Sequence, residues 1–311
     1  MTLPHAIRIR AVSKFFGDVI ALENVDLDVP SGQIHGLVGP NGAGKTTLLG
    51  LLLGLTAPSA GEGEVLEQPL GRTRSVATEV AGFLDGPGLY PTLTARQNLT
   101  STLALGGAEP APAEIDAILE RVGLAEVADE RVRGFSLGMR QRLGLAASVL
   151  AKPRLLVLDE PANGLDPAGK RQFHEVLTDL AAGGTTVILS SHRMDDVEAL
   201  CSEVTILMAG RVAFTGPLAK LAAENDALDY RLVTSDASGA RRVAERTAGV
   251  HPRMAESDDT SRLLVGATVP ALDELVRALV RENIAVRELT PVMSPLEAAF
   301  LNLTDQQESR R

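Results

Sequence analysis

Apolar and polar side chains alternate along Ile7-Arg8-Ile9-Arg10-Ala11-Val12, the period of a half-buried strand. Lys14 to Asp18 reads as a turn, Ala21 to Val29 as a second strand, and Pro30-Ser31-Gly32 turns the chain into a third, Gln33 to Val38. A helix is predicted over Thr47 to Leu53, and Ala57 to Gly63 reads as its end and the start of a loop. Val80 to Leu84 is a short buried strand, followed by a turn-rich loop over 85–94. Thr94-Ala95-Arg96-Gln97 fits a helix cap with Gln at the third position. Helical patterning then runs from Ala95 to about Lys152, broken at Gly106-Gly107 and at Pro110 to Pro112. A helical subdomain of about 86–152 inserted into a strand-rich chain is the expectation.

Leu155 to Glu160 is an apolar strand ending in two acids, and Thr185 to Ser190 is a second apolar strand, with a helix from about Pro167 to Ala182 between them. Apolar strands alternating with helices imply a parallel sheet covered on both faces. Val204 to Met208 and Arg211 to Thr215 read as a hairpin joined at Ala209-Gly210. After Ala222 the pattern changes. Asp229 to Val233, Ser261 to Val265 and Ala285 to Leu289 look like strands, and Leu272, Leu275, Val276 and Leu279 form the core stripe of a helix. Ser294-Pro295-Leu296-Glu297 is a capping box, after which Leu296, Phe300 and Leu303 share a face, and Thr304 to Arg311 reads as a frayed tail. The fold class is α/β: a core over 1–222 with a parallel sheet and antiparallel N-terminal strands, then an α+β accessory domain over 226–311.

A chain of 311 residues, 45% of them hydrophobic, suits two domains with a large core. The net charge of −10 disfavours non-specific nucleic-acid binding and adhesion to an anionic membrane surface. Cys201 is the single cysteine, which fits a reducing compartment and a small buried apolar role. Met1 to Arg10 carries no apolar run of signal-peptide type, and no segment approaches ~20 consecutive apolar residues, so no membrane span is expected. The five histidines lie far apart, with no metal-site spacing.

The stretch Gly39-Pro40-Asn41-Gly42-Ala43-Gly44-Lys45-Thr46-Thr47 brings in chemistry. It fits G-x-x-x-x-G-K-[ST], with the strand before and the helix after that the motif requires. Its glycines let backbone N–H groups converge on an anion, and the helix N-terminus adds positive partial charge. Lys45 reaches the β- and γ-phosphates, and the Thr46 hydroxyl can ligate Mg²⁺. ATP and Mg²⁺ are therefore the expected cofactors.

Asp159 closes its strand beside such a loop, where a carboxylate holds Mg²⁺ directly or through water, and Glu160 can orient or deprotonate the attacking water. His192, beyond the carboxyl edge of the next strand, can contact a γ-phosphate. Phe15 or Phe16 can stack on a nucleobase or fill core. Phe135-Ser136-Leu137-Gly138-Met139 opens a helix 23 residues before Asp159 (from 136 to 159). Backbone N–H groups at Ser136 and Gly138 make either a second anion site, implying that two chains share each ATP, or an ordinary serine cap. Asp166, before Pro167, is a helix N-cap, an inter-subunit contact, or both.

Taken in order, these elements resemble the ATP-binding subunit of an ABC transporter over about Ile7 to Ala222. Gly39–Thr47 matches the Walker A motif, Leu155–Glu160 Walker B, Asn163–Asp166 the D-loop and His192 the switch histidine. Phe135–Met139 stands where the family has its Leu-Ser-Gly-Gly-Gln signature, with Leu137 and Met139 replacing a Gly and the Gln. Asp85 stands where most members have the Q-loop glutamine, and Phe16 where an aromatic stacks on adenine. Both departures, with Gly86 to Pro91, are similar to the branch of bacitracin-type and lantibiotic-immunity exporters.

The resemblance implies an ATPase that drives a separate integral-membrane permease, for export of an antibiotic-like, peptide or lipid substrate. It implies two copies, or one copy and a related ATPase, closing head-to-tail around ATP. It also implies a cytoplasmic location at the inner face of the cell membrane, reached through the permease. Asp85 joins Thr46 and Asp159 as a metal candidate, and Ser136 and Gly138 would come from the opposite chain. The alternative is a soluble ABC ATPase of translation or DNA repair. One phosphate loop, and 91 residues from Lys45 to Ser136 (45 to 136) without a heptad run, disfavour it. A binding subunit that does not hydrolyse ATP is disfavoured by Asp159, Glu160 and His192.

Overall fold

In a computed structural model, residues 4–71, 79–107, 111–223, 228–253, 262–294 and 296–301 are described. The chain forms two compact units, Met1–Leu218 and Ala219–Arg311.

The first unit opens with strands β1 (His5–Phe16), β2 (Val19–Pro30) and β3 (Ile34–Val38), then helix α1 (Lys45–Leu52), strands β4 (Ala60–Val65) and β5 (Gln68–Pro69), and β6 (Val80–Phe83). Helices α2 (Ala95–Leu105), α3 (Pro112–Arg121) and α4 (Leu137–Leu150) follow. Then come β7 (Leu155–Leu158), α5 (Pro167–Ala182), β8 (Thr186–Ser191), α6 (Met194–Leu200), β9 (Glu203–Met208) and β10 (Arg211–Pro217).

Six strands form the central sheet in the order β10-β9-β3-β8-β7-β6. Every neighbouring pair is parallel except the β9–β10 hairpin. β3, β7 and β8 are buried at every residue, as strands covered on both faces must be. A second, antiparallel sheet has the order β2-β1-β4-β5.

Two local expectations are corrected here. Lys14, Phe15 and Phe16 belong to β1, with Phe15 opposite Ile20 and Phe16 opposite Val19, so the turn shrinks to Gly17-Asp18. Residues from Ala60 onward form β4 rather than a loop. The segment Ala60-Gly-Glu-Gly-Glu-Val65 lacks apolar alternation, and only Val65 is fully buried. Its strand exists because glycine permits close approach: a Cβ on Gly61 (φ +81°) would sit 2.2 Å from the Ala11 carbonyl oxygen.

Helices α2, α3 and α4 pack around Leu99, Ile118, Leu119, Phe135 and Leu143. Thr94 caps α2 reciprocally. Its Oγ1 accepts from the Gln97 N–H at 3.1 Å, and Gln97 Oε1 accepts from the Thr94 N–H at 3.0 Å.

After helix α7 (Leu218–Ala223), the second unit runs β11 (Leu228–Thr234), α8 (Ala237–Arg246), β12 (Val250–Arg253), β13 (Arg262–Ala267), α9 (Val269–Arg281) and β14 (Val286–Pro291). Its sheet is antiparallel in the order β12-β13-β11-β14, a ferredoxin-like βαββαβ unit around Tyr230, Leu232, Val243, Val265, Leu275 and Leu279. Pattern reading misses α8 and β12. α8 buries only Gly239, Ala240, Val243 and Ala244, and β12 is four residues long with a proline. Ser294 Oγ accepts from the Glu297 N–H at 3.1 Å, as a cap should. Pro295, Leu303, Thr304 to Arg311, Ser261 and Pro110 lie outside the described residues.

Candidate nucleotide site

The loop from Gly39 to Gly44 links β3 to α1 at the carboxyl edge of the central sheet. Gly44 is the N-cap of α1 with φ +103°, and a Cβ there would lie 2.6 Å from the Ala21 carbonyl oxygen. Only glycine satisfies both the dihedral and the space. Lys45 is the first residue of α1, and its ammonium is buried. Lys45 Nζ donates to the Gly39 carbonyl at 2.6 Å and to the Pro40 carbonyl at 3.2 Å. Burial pulls its pKa below the ordinary lysine value, while the charges of Glu160 and Asp159 oppose the shift.

A cavity of about 510 Å³ opens over this loop. It is lined by the loop and helix start from Asn41 to Thr47, by Asp85 and Gly86, and by Asp159, Glu160 and Asn163. Val19, Ile20 and Ala21 of β2, with Leu137 and Gln141 of α4, complete it. Asp85 sits at φ +57°, a left-handed conformation that Asp tolerates better than most residues.

Asp159 is held at both oxygens. Thr46 Oγ1 donates to Oδ2 at 2.6 Å, and Ser190 Oγ donates to Oδ1 at 2.5 Å. Ser190 Oγ also accepts from the Glu160 N–H at 2.8 Å. One buried hydroxyl on β8 thus touches both acids that follow β7. Sequence reading treats Ser190 only as part of an apolar strand; its signal is a hydroxyl where a β-branched residue would otherwise extend the run. Glu160 has φ +48°, uncommon for a residue with a long side chain, and its Oε2 lies 2.7 Å from His192 Nδ1. Glu160 also lines the cavity.

Phe15 and Phe16 do not fill core: they are 42% and 53% exposed at the tip of the β1–β2 hairpin. Phe16 does not itself line the cavity; its cross-strand partner Val19 does. Ser136 caps α4 within its own chain, its Oγ accepting from the Met139 N–H at 3.2 Å. A Cβ on Gly138 would lie 2.6 Å from the Gly164 carbonyl, so the start of α4 packs on the turn after Asn163. Asp166 caps α5, its Oδ1 accepting from the Gly169 N–H at 2.9 Å, with Pro167 first in the helix.

His35, on the strand leading into the loop, went unnoticed in the pattern. It is fully buried, its Nε2 is 2.9 Å from Thr205 Oγ1, and burial pushes its pKa down to about 4. Cys201 is buried, and its thiol is pushed up to about 12 by the same cause.

Among the described residues, no group of three or more His, Cys, Asp or Glu side chains suits a metal ion. No helix among them is long and apolar enough to cross a membrane. Two hard oxygens, Thr46 Oγ1 and Asp159 Oδ2, nonetheless meet in the cavity that Lys45 also lines, the donor type and number that Mg²⁺ takes from a protein when phosphates and water supply the rest.

The ABC transporter family model matches residues 22–163. The daunorubicin resistance ATP-binding protein DrrA3 of Streptomyces coeruleorubidus is 37% identical over 308 residues, covering 96% of each chain. The bacitracin transport ATP-binding protein BcrA of Bacillus licheniformis is 33% identical, covering 94% of this chain and 95% of its own. A solved ATP-binding subunit of an ABC transporter, 27% identical, superposes with a TM-score of 0.64 over 70% of this chain and 92% of its own. With the phosphate loop, the doubly held Asp159 and Glu160 sharing one cavity, this chain belongs to the ATP-binding, ATP-hydrolysing subunits of ABC transporters.

Proposed function

We propose that this subunit powers a separate integral-membrane permease that exports an antibiotic-like, peptide or lipid substrate. The named roles of the two relatives, daunorubicin resistance and bacitracin transport, support that class of cargo. In this reading the protein works at the inner, cytoplasmic face of the cell membrane, as a head-to-tail pair with a second copy or a related ATPase.

The loop amides of Gly42 and Gly44, with Lys45, would hold the phosphates, and Phe16 would stack on the adenine. Thr46 and Asp159, with Asp85 nearby, would hold Mg²⁺, which supplies neutralisation of the charge that builds on the phosphate oxygens. Glu160 takes the proton of the attacking water. His192 keeps the Glu160 carboxylate aimed and senses the γ-phosphate. Ser136 and Gly138 of the opposite copy would close the site over the γ-phosphate.

The carrying observation is that Asp159 is fixed at both oxygens in the cavity that also holds Lys45 and Glu160. Phosphate release from ATP tests it. Wild type turns over in Mg²⁺, and Lys45→Ala loses hydrolysis and most nucleotide affinity, because the loop's one side-chain cation is gone. Activity of Lys45→Ala close to wild type would refute the assignment.

A further inference from the structure

A buried ion pair joins the helix after the Asn163–Asp166 turn to the helix after His192. Lys170 stands on the first turn of α5 and Asp196 on the first turn of α6. Lys170 Nζ lies 2.6 Å from Asp196 Oδ1, with the two side chains 16% and 4% exposed. His174 Nε2, one turn along α5, is 3.6 Å from the same oxygen, and Arg193 Nε is 3.6 Å from Oδ2. Lys170 also faces Asp195 at 3.6 Å, and Asp195 pairs with Arg193 at 2.9 Å. None of these residues lines the nucleotide cavity.

A carboxylate taken out of water must have its charge compensated, and apolar side chains of similar volume would hold two helices together at least as well. What an ion pair adds is register, and within this network the 2.6 Å Lys170–Asp196 contact is the close one between α5 and α6. Both ends of this pair sit next to the site. On α5, four residues before Lys170, Asp166 caps the helix after the Gly164 turn on which Gly138 packs. On α6, Asp196 lies four residues after His192, whose Nδ1 is 2.7 Å from Glu160 Oε2.

We propose that Lys170 and Asp196 are positioning residues for hydrolysis. Their ion pair locks α6 against α5, holds His192 on Glu160, and transmits to that dyad the position of the Gly164 turn and the α4 N-terminus packed on it. The proposal rests on the reading of His192 and Glu160 given above.

Steady-state ATP hydrolysis and binding of a fluorescent ATP analogue test it in the full-length protein. Lys170→Met lowers kcat by about tenfold with KM within about twofold, and Lys170→Arg restores most of the rate. Lys170→Met/Asp196→Leu removes both charges, so no unpaired carboxylate remains to unfold the protein; it binds the analogue normally and keeps the low kcat. In the His192→Ala background Lys170→Met adds nothing, because the pair acts through His192. A wild-type kcat in the apolar pair, or a Lys170→Met loss that multiplies the His192→Ala loss, overturns the proposal. A wild-type kcat for His192→Ala alone overturns instead the reading of the dyad beneath it.

Discussion

Thr46 and Asp159, which both line the cavity, are joined by a 2.6 Å hydrogen bond, 113 residues apart in sequence. It links the first turn of α1 to the end of β7, two elements brought level by the parallel register of β3, β8 and β7. Ser190 fixes the other oxygen, so the Asp159 carboxylate is held in one orientation. A preset oxygen pair costs little reorganisation when charge develops nearby.

Asp85 adds a third carboxylate to the same cavity. Extra negative charge beside Asp159, Glu160 and the phosphates is unfavourable unless a divalent cation is present. Hydrolysis in wild type is therefore expected to rise more steeply with Mg²⁺ than in Asp85→Gln. Asp85→Ala is expected to reduce transport more than basal hydrolysis, since Asp159 and Glu160 remain. Asp85→Asn, which keeps the left-handed preference at φ +57°, separates charge from backbone. Superimposable Mg²⁺ curves for all variants, with transport intact, would leave Asp85 only a turn residue.

His35 gives a pH signature. A histidine whose folded pKa is about 4 rather than 6.5 binds fewer protons folded than unfolded. Its contribution is complete above the unfolded value of 6.5 and is lost as pH falls from there toward about 4. Between pH ~7.5 and ~5.8 the loss comes to about 1 kcal/mol. His35→Leu removes it, and Thr205 keeps Thr215 as a partner at 2.9 Å. Urea unfolding at the two pH values is expected to show a smaller drop for His35→Leu. Equal drops would mean that folding does not lower the His35 pKa.

The second unit carries its own core and its own helix caps at Asp236 and Thr268. Truncation after Ala223 is expected to bind ATP within a few-fold of the full chain while altering dimerisation or permease coupling. A folded truncation that no longer binds nucleotide would place this unit within the site.

The phosphate loop, the apolar strands β3, β7 and β8 and the capped helices α2 and α5 were legible because each is specified locally, by motif, run or cap. β4 and α8 were not, since glycine and alanine in them pack by close approach rather than by large apolar side chains. Ser190, His35 and the Lys170–Asp196 pair escaped for a different reason. Each acquires its role from partners distant in sequence: Asp159, Thr205 and the facing helix. Asp159 and Glu160 could be nominated from the end of an apolar strand, but the hydroxyl that touches them comes from its neighbour.

Single-turnover release of phosphate from ATP by Glu160→Gln tests the central claim most directly. The amide retains the shape of the side chain and an oxygen that can replace the one Glu160 places 2.7 Å from His192 Nδ1, but it cannot take a proton from water. The account predicts that Glu160→Gln binds ATP and Mg²⁺ at least as well as wild type and releases phosphate slower by roughly 10²-fold or more. Phosphate release near the wild-type rate would contradict it, and the base would have to be sought elsewhere in the cavity.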